Sequence, residues 1–118
     1  MDLAEGLAGI VQAFQNVPGI QTASVDPSEV IAPGVLVQLN SLTPDTLGTW
    51  ALDVNANLVV TDSDSGTGPA AALGGLLNAC LDAGISPDGP VLARSLILPS
   101  NPSALPGLVI PLTVRIPA

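Results

Sequence analysis

The chain has 118 residues, ten of them acidic and two basic, and its formal net charge is −8 at pH 7. It contains no His and no Lys, which excludes an imidazole base, a Ser-His-Asp triad, a Schiff-base lysine and a phosphate-loop lysine. The two basic residues, Arg94 and Arg115, cannot supply the phosphate contacts on which nucleic-acid affinity depends.

Length and composition favour a single folded domain over residues 1–118. Hydrophobic residues make up 47% of the chain, too many for a disordered protein despite 12 Gly and 12 Pro. The lone Cys80 cannot form an internal disulfide, and no export signal or membrane-length apolar stretch is evident. We therefore expect a chain that folds in a cytoplasm without membrane contact. The mean hydropathy of +0.58 is high for so small a chain and predicts an oligomer.

The first predicted element is an amphipathic helix over residues 3–17. Asp2 can cap it, and Glu5 stands three positions later, the spacing of a capping box. Pro18 and Gly19 end the helix, because Pro cannot continue the hydrogen-bond ladder. At helical spacing, one face collects the apolar side chains Leu3, Leu7, Ile10, Val11, Phe14 and Val17.

Strand patterns follow the first helix. A polar, proline-containing stretch over residues 26–33 separates the first two strands. Apolar and polar residues alternate from Trp50 onward, which predicts a half-buried third strand. Residues 58–61 either extend this strand past a bulge near 55–57 or form a separate short strand. The three strands are predicted at residues 20–25, 34–40 and 50–55.

The connector over residues 61–68 begins like a calcium-binding loop, with Asp62 and Asp64 two positions apart. The similarity then fails, because Leu73 occupies the twelfth position, where a bidentate Glu is required. A solvated linker is the favoured interpretation, and no metal or cofactor is expected.

A second helix is predicted over residues 69–82, ending at Gly84. Its opposite sides differ in side-chain size. One side is apolar, with Leu73, Leu76, Leu77, Cys80 and Leu81. The other carries the small residues Ala71, Gly75 and Ala79, which permit close approach either of a neighbouring subunit or of the chain's own loops. We favour the neighbour, because the leucine side is expected to meet the sheet.

The last two strands are predicted at residues 91–98 and 108–116, joined by a proline-rich loop over 99–107. Pro111 cannot donate to a strand ladder, so the final strand is expected to be an edge or to carry a bulge. The fold class is thus α+β with the order α-β-β-β-α-β-β. We expect a mainly antiparallel sheet of four to five strands with both helices on one face.

Few side chains suggest chemistry. Cys80 has no base nearby in sequence and is interpreted as a buried, inert thiol. The acidic residues are scattered and lack the aromatic partners of a sugar site, which disfavours a carboxylate-pair hydrolase. Arg94 and Arg115 fall in the two last strands, which are expected to pair. Two interpretations remain open: solvent-exposed residues with local charge pairing, or ion pairs between subunits.

The chain as a whole resembles the tail terminator proteins of long-tailed bacteriophages, particularly those of actinobacterial hosts. The resemblance lies in the opening helix with its Pro-Gly turn (LAGIVQAFQNVPGI, residues 7–20) and in the apolar strand after Pro33. The helix PAAALGGLLNACLDAG and the closing strand ALPGLVIPLTVRI (residues 104–116) also match. The near absence of Arg and the short glycine-rich connector are departures from the family.

The resemblance implies a structural virion protein, not an enzyme. Such proteins form a homo-oligomeric ring, a hexamer in this family, that caps the tail tube, ends its polymerisation and docks the neck or head-completion protein. DNA would pass through without specific binding, and an acidic wall would repel its phosphates. We expect the channel to be lined by some of Asp26, Glu29, Asp62 and Asp64, and the subunit interface to include Ala71, Gly75, Ala79, Arg94 and Arg115.

The proline-rich stretches over 26–33 and 99–107 are candidate docking loops for tube or neck. Two alternatives remain. One is another head-tail joint or tail-tube subunit, which would polymerise without limit if it built the tube. The other is a small cytoplasmic adaptor module with no viral connection.

Overall fold

A computed structural model describes residues 3–44, 48–60, 68–99 and 101–117. Its element order confirms the predicted α+β class. Residues 26–33 are not wholly irregular, because they contain a single 3₁₀ turn at Pro27–Glu29. The helices and strands are α1 Leu3–Gln15, β1 Thr22–Ser24, β2 Gly34–Pro44, β3 Thr49–Val59, α2 Gly68–Asp82, β4 Leu92–Leu98 and β5 Asn101–Pro117.

The five strands form one sheet in the spatial order β1-β2-β3-β5-β4. Only β1 and β2 run parallel, and every other neighbouring pair is antiparallel. β3 lies at the centre and pairs along its whole length with β5, from Thr49 opposite Pro117 to Val59 opposite Gly107. The sheet therefore ends in two different edge strands, β1 and β4.

β3 is two-faced, as its alternating sequence predicts. Four of its apolar side chains point to the helix-covered face and are at most 1% exposed: Leu52, Val54, Ala56 and Leu58. The bulge predicted near 55–57 is wrong, since the pairing of β3 with β5 has no register shift. The irregularity lies instead in the partner strand, between Leu39 and Ser41 of β2.

Both helices pack on the same face of the sheet, where they complete the main core. α1 contributes the buried Ile10 and Phe14, and α2 contributes Leu73 and Cys80. α1 ends at Gln15, two residues earlier than predicted, because Val17 N bonds to Phe14 O in a tighter turn (3.0 Å). Within the described ranges, neither of these helices nor any other is long and apolar enough to cross a membrane.

A second, smaller core occupies the opposite face at one end of the sheet. Two strand glycines bring backbones close together here. A Cβ at Gly34 would lie 2.6 Å from Ile31 O, and one at Gly107 would lie 2.8 Å from Leu58 O. The side chains of this core are Val30, Leu36, Val59, Leu98 and Leu105.

β5 is much longer than predicted. It begins at Asn101, so most of the expected loop over 99–107 is strand and pairs with β4. β5 is not an edge strand, although it contains Pro111, and its pairing with β4 shifts register between Leu96 and Leu98, away from that proline. β4 reaches only to Val109, and Asp88 N donates to Pro111 O from the side that β4 leaves open (2.8 Å). Pro111 therefore lacks its N–H on the side of β5 where no neighbouring strand would accept a hydrogen bond from it.

The main core gives a direct test of the fold. Leu58→Ala should lower the free energy of unfolding by about 2–5 kcal/mol, because it leaves a cavity between helices and sheet. Leu81→Ala, at a side chain that is 46% exposed, should cost less than about 1 kcal/mol. Urea denaturation followed by circular dichroism measures both variants. Equal losses would contradict the burial pattern.

Candidate functional site

Among the described residues, four of the six exposed large apolar side chains lie at the two edges of the sheet, and the other two are Leu39 of β2 and Leu81 of α2. Beside β4, Leu92 is 47% and Ile97 is 68% exposed. At the other edge, Val25 and Ile31 are each 50% exposed. Exposed apolar groups on a small domain mark surfaces that another molecule covers. The two edges are thus the candidate functional site.

The β4 edge is a seven-residue strand with few protecting features. It pairs with β5 on one side, and no strand of the described chain lies on its other side. Edge strands are commonly blunted by Pro, by Lys or by inward charges. β4 carries a single charge, at Arg94, which is exposed. The edge therefore presents unpaired backbone groups that suit strand addition.

The β1 edge opens into a groove of about 600 Å³ between α1 and the turn that follows β1. The amide of Gln15 lies in this groove, and its Nε2 donates to Ala23 O of β1 (3.2 Å). This bond occupies a carbonyl that a neighbouring strand would otherwise use. Both apolar and polar side chains line the groove, among them Leu7, Val11, Gln15, Ala23, Val25 and Glu29.

Two of the four predicted channel residues, Asp26 and Glu29, lie in the turn after β1, and Glu29 lines this groove. Asp26 caps the 3₁₀ turn by accepting hydrogen bonds from Ser28 Oγ (2.8 Å) and Ser28 N (3.0 Å). These bonds, the side-chain one foremost, lower the pKa of the Asp26 carboxyl below its ordinary value. Ser24 Oγ donates to Glu29 Oε2 (2.9 Å) and accepts from Asp26 N (3.0 Å). The turn thus holds two carboxylates beside the β1 edge.

The other predicted residues are not gathered at one place. Asp62 and Asp64 lie outside the described residues. The expected pairing of the last two strands is confirmed, but it does not bring their arginines together. Arg94 lies opposite Gly107, whereas Arg115 lies opposite Ala51 near the far end of β5.

The small side of α2 is only partly open. Ala71 and Gly75 are exposed, and nothing described lies within 4 Å of a Cβ built at Gly75. Ala79 is half-buried and packs against the main core, so it does not belong to this open surface. Leu81, assigned from sequence to the buried side, is 46% exposed.

The structure also shows a polar cluster that the sequence analysis missed. Asp53 Oδ1 accepts from Thr113 Oγ1 (3.2 Å) and Asp53 Oδ2 accepts from Ser41 Oγ (2.8 Å). The same Thr113 hydroxyl contacts Asp88 Oδ2. The alternation of β3 could have revealed that Asp53 and Thr113 share the open face, but the approach of Asp88 depends on the fold. In the described ranges, no three acidic or thiol side chains come together as metal ligands.

Comparison with known proteins gives no match to a family model, to a curated protein or to a solved structure.

Cys80 is fully buried on α2, and this burial raises the pKa of its thiol. We expect Ellman's reagent to modify the native chain at pH 8 at least about a hundredfold more slowly than the chain unfolded in urea, because reaction requires opening of the core. Stopped-flow absorbance measures both rates. Similar rates in the two states would refute the burial of this thiol.

The cap at the β1 edge predicts a pH dependence. A lowered pKa means that Asp26 stabilises the fold fully above its ordinary pKa, and that this contribution disappears as pH falls through the lowered value. Carbon-13 NMR of the carboxyl should give a low titration midpoint that Ser28→Ala raises. Ser86→Ala, outside the turn, serves as the control. A midpoint that Ser28→Ala leaves unchanged would disprove the capping role.

Proposed function

We propose that the chain is a structural component of a bacteriophage virion. It would form a homo-oligomeric ring that caps the tail tube, ends tail polymerisation and joins the tail to the neck or head-completion protein. The proposal combines the sequence resemblance with one structural observation: exposed apolar side chains lie at both edges of the sheet.

The arrangement of the edges supports a ring. A cyclic assembly with more than two copies needs two different surfaces on each subunit, one for each neighbour. β1 and β4 provide two such surfaces on opposite sides of one sheet. A dimer would need only one self-complementary patch, so two apolar edges favour a larger assembly.

The net charge of the chain supports a position of the proposed ring at the head-tail joint, where DNA passes. A net charge of −8 in each copy gives a ring a strongly negative field, which disfavours binding of DNA phosphates. A ring at the head-tail joint must let DNA pass without retaining it. Asp26 remains a candidate for the channel wall, whereas Glu29 lines the groove beside the β1 edge.

Self-assembly distinguishes this role from its two rivals. Size-exclusion chromatography with light scattering, over protein concentrations from about 1 μM to 1 mM, should yield one closed species of roughly six subunits. Electron microscopy should show an open centre. Filaments would identify a tail-tube subunit instead, and a chain that stays monomeric throughout would favour the adaptor module.

Tail length gives the second readout. Tube subunits from the same virus, polymerising around their length-determining protein, should stop at a defined length when this chain is added. Without it, they should exceed that length. The matched control is a variant that folds but does not assemble. Tube lengths that are identical with and without the chain would overturn the terminator role.

A further inference from the structure

Residues of the two edge strands, β1 and β4, lie at the same height along the strand direction, and we call such residues level. Cross-strand register can be followed from one edge to the other through three intervening strands. One row of directly opposed residues runs Thr22, Gly34, Val59, Gly107 and Arg94. A second row runs Ser24, Leu36, Asn57, Val109 and Leu92.

The two edges also run in opposite directions. β2 and β5 are both antiparallel to β3, β1 is parallel to β2, and β4 is antiparallel to β5. When a second copy is generated by rotation about an axis parallel to the strands, its strands run in the same directions as the corresponding strands of the first copy. Its β1 would therefore meet β4 of the first copy as an antiparallel pair, at the same level, and the sheet would continue across the joint.

The groove beside β1 suits β4 as its occupant. In the shared rows, Ala93 of β4 lies level with Ala23 of β1, and both point to the helix-covered face. On this face β4 carries the small side chains Ala93 and Ser95 and, towards its C-terminal end, the exposed Ile97. A backbone N–H of β4 would replace the exposed Gln15 amide at Ala23 O.

Charge complementarity supports the same contact. Level pairing places Arg94 opposite Thr22 of the neighbour and diagonal to Ser24, a separation that long side chains span. Ser24 holds the carboxylate of Glu29 through its hydroxyl (2.9 Å). Arg94, Thr22 and Ser24 belong to the same face of the sheet. The joint thus brings a cation of one copy to a fixed carboxylate of the next.

We propose that copies of this chain assemble by strand addition, in which β4 of one copy pairs antiparallel with β1 of the next and Arg94 forms an ion pair with Glu29. This contact rests on the proposed self-assembly and names the two surfaces that carry it. It assigns Arg94 to a joint between subunits and places Glu29 there, not on a channel wall.

Charge reversal tests the contact, and both side chains are exposed, so the variants should fold. Arg94→Glu and Glu29→Arg each place like charges at every joint, and each should raise the dissociation constant of the assembly at least about tenfold. An equimolar mixture of the two variants should assemble again. The two variants then alternate around the ring. At every second joint Arg94 meets Glu29, as in the wild type, and at the joints between them the two charges are exchanged. The double variant should also assemble.

Light scattering across concentration gives the readout, with circular dichroism to verify folding. Asp82→Arg changes the net charge as much as Glu29→Arg does. Asp82 lies at the C-terminal end of α2 and lines neither the groove beside β1 nor the hollow between α2 and β4, so this variant should leave assembly unchanged. Assemblies that persist in both single variants would overturn this contact while the ring survives. Folded variants that fail to assemble when mixed would also overturn it. A wild-type chain that is monomeric throughout would overturn the contact and the ring together.

Discussion

The structure depends on the two-faced character of β3. This strand pairs on both sides over 11 residues and buries Leu52, Val54, Ala56 and Leu58 under the helices, with Asp53, Asn55 and Asn57 on the opposite face. A shift of one residue in register would exchange the two faces and bury a carboxylate. The register is therefore fixed, and with it the face on which α1 and α2 pack and the level of every other strand. The position of the edges follows from this one strand.

The two edge strands of the sheet are less completely covered than its central strand. β1 has only three residues, and α1 lies beside it without closing the groove. β4 pairs only with the N-terminal half of β5, as far as Val109, and exposes Leu92 and Ile97. A chain without Lys lacks the side chain that proteins most often use to protect such edges. The scarcity of positive charge thus leaves these two edges without that protection.

The sequence predicted what local periodicity controls and missed what register controls. α1, α2 and the alternation of β3 follow from side-chain spacing. Proline content suggested a loop over 99–107, yet pairing with β3 and β4 overrides that local preference and makes β5 17 residues long. The bulge was assigned to the polar residues of β3, whereas it lies in β2. The sequence singles out both Arg94 and Glu29, but only the fold places Arg94 level with Thr22 of the opposite edge and ties Glu29 to that edge through Ser24.

Scarcity of positive charge also makes the proposed joint specific. Flat apolar edges pair in many registers, and hydrophobic contact alone does not choose among them. Each copy carries charge of −8, so any association brings like charges together, and most registers offer no compensation. The β4 edge carries one cation, Arg94, and the turn beside β1 holds one carboxylate against Ser24. Level pairing would bring these two within reach of each other. The acidity of each copy opposes associations that keep these charges apart, so the proposed ion pair favours registers that bring them together.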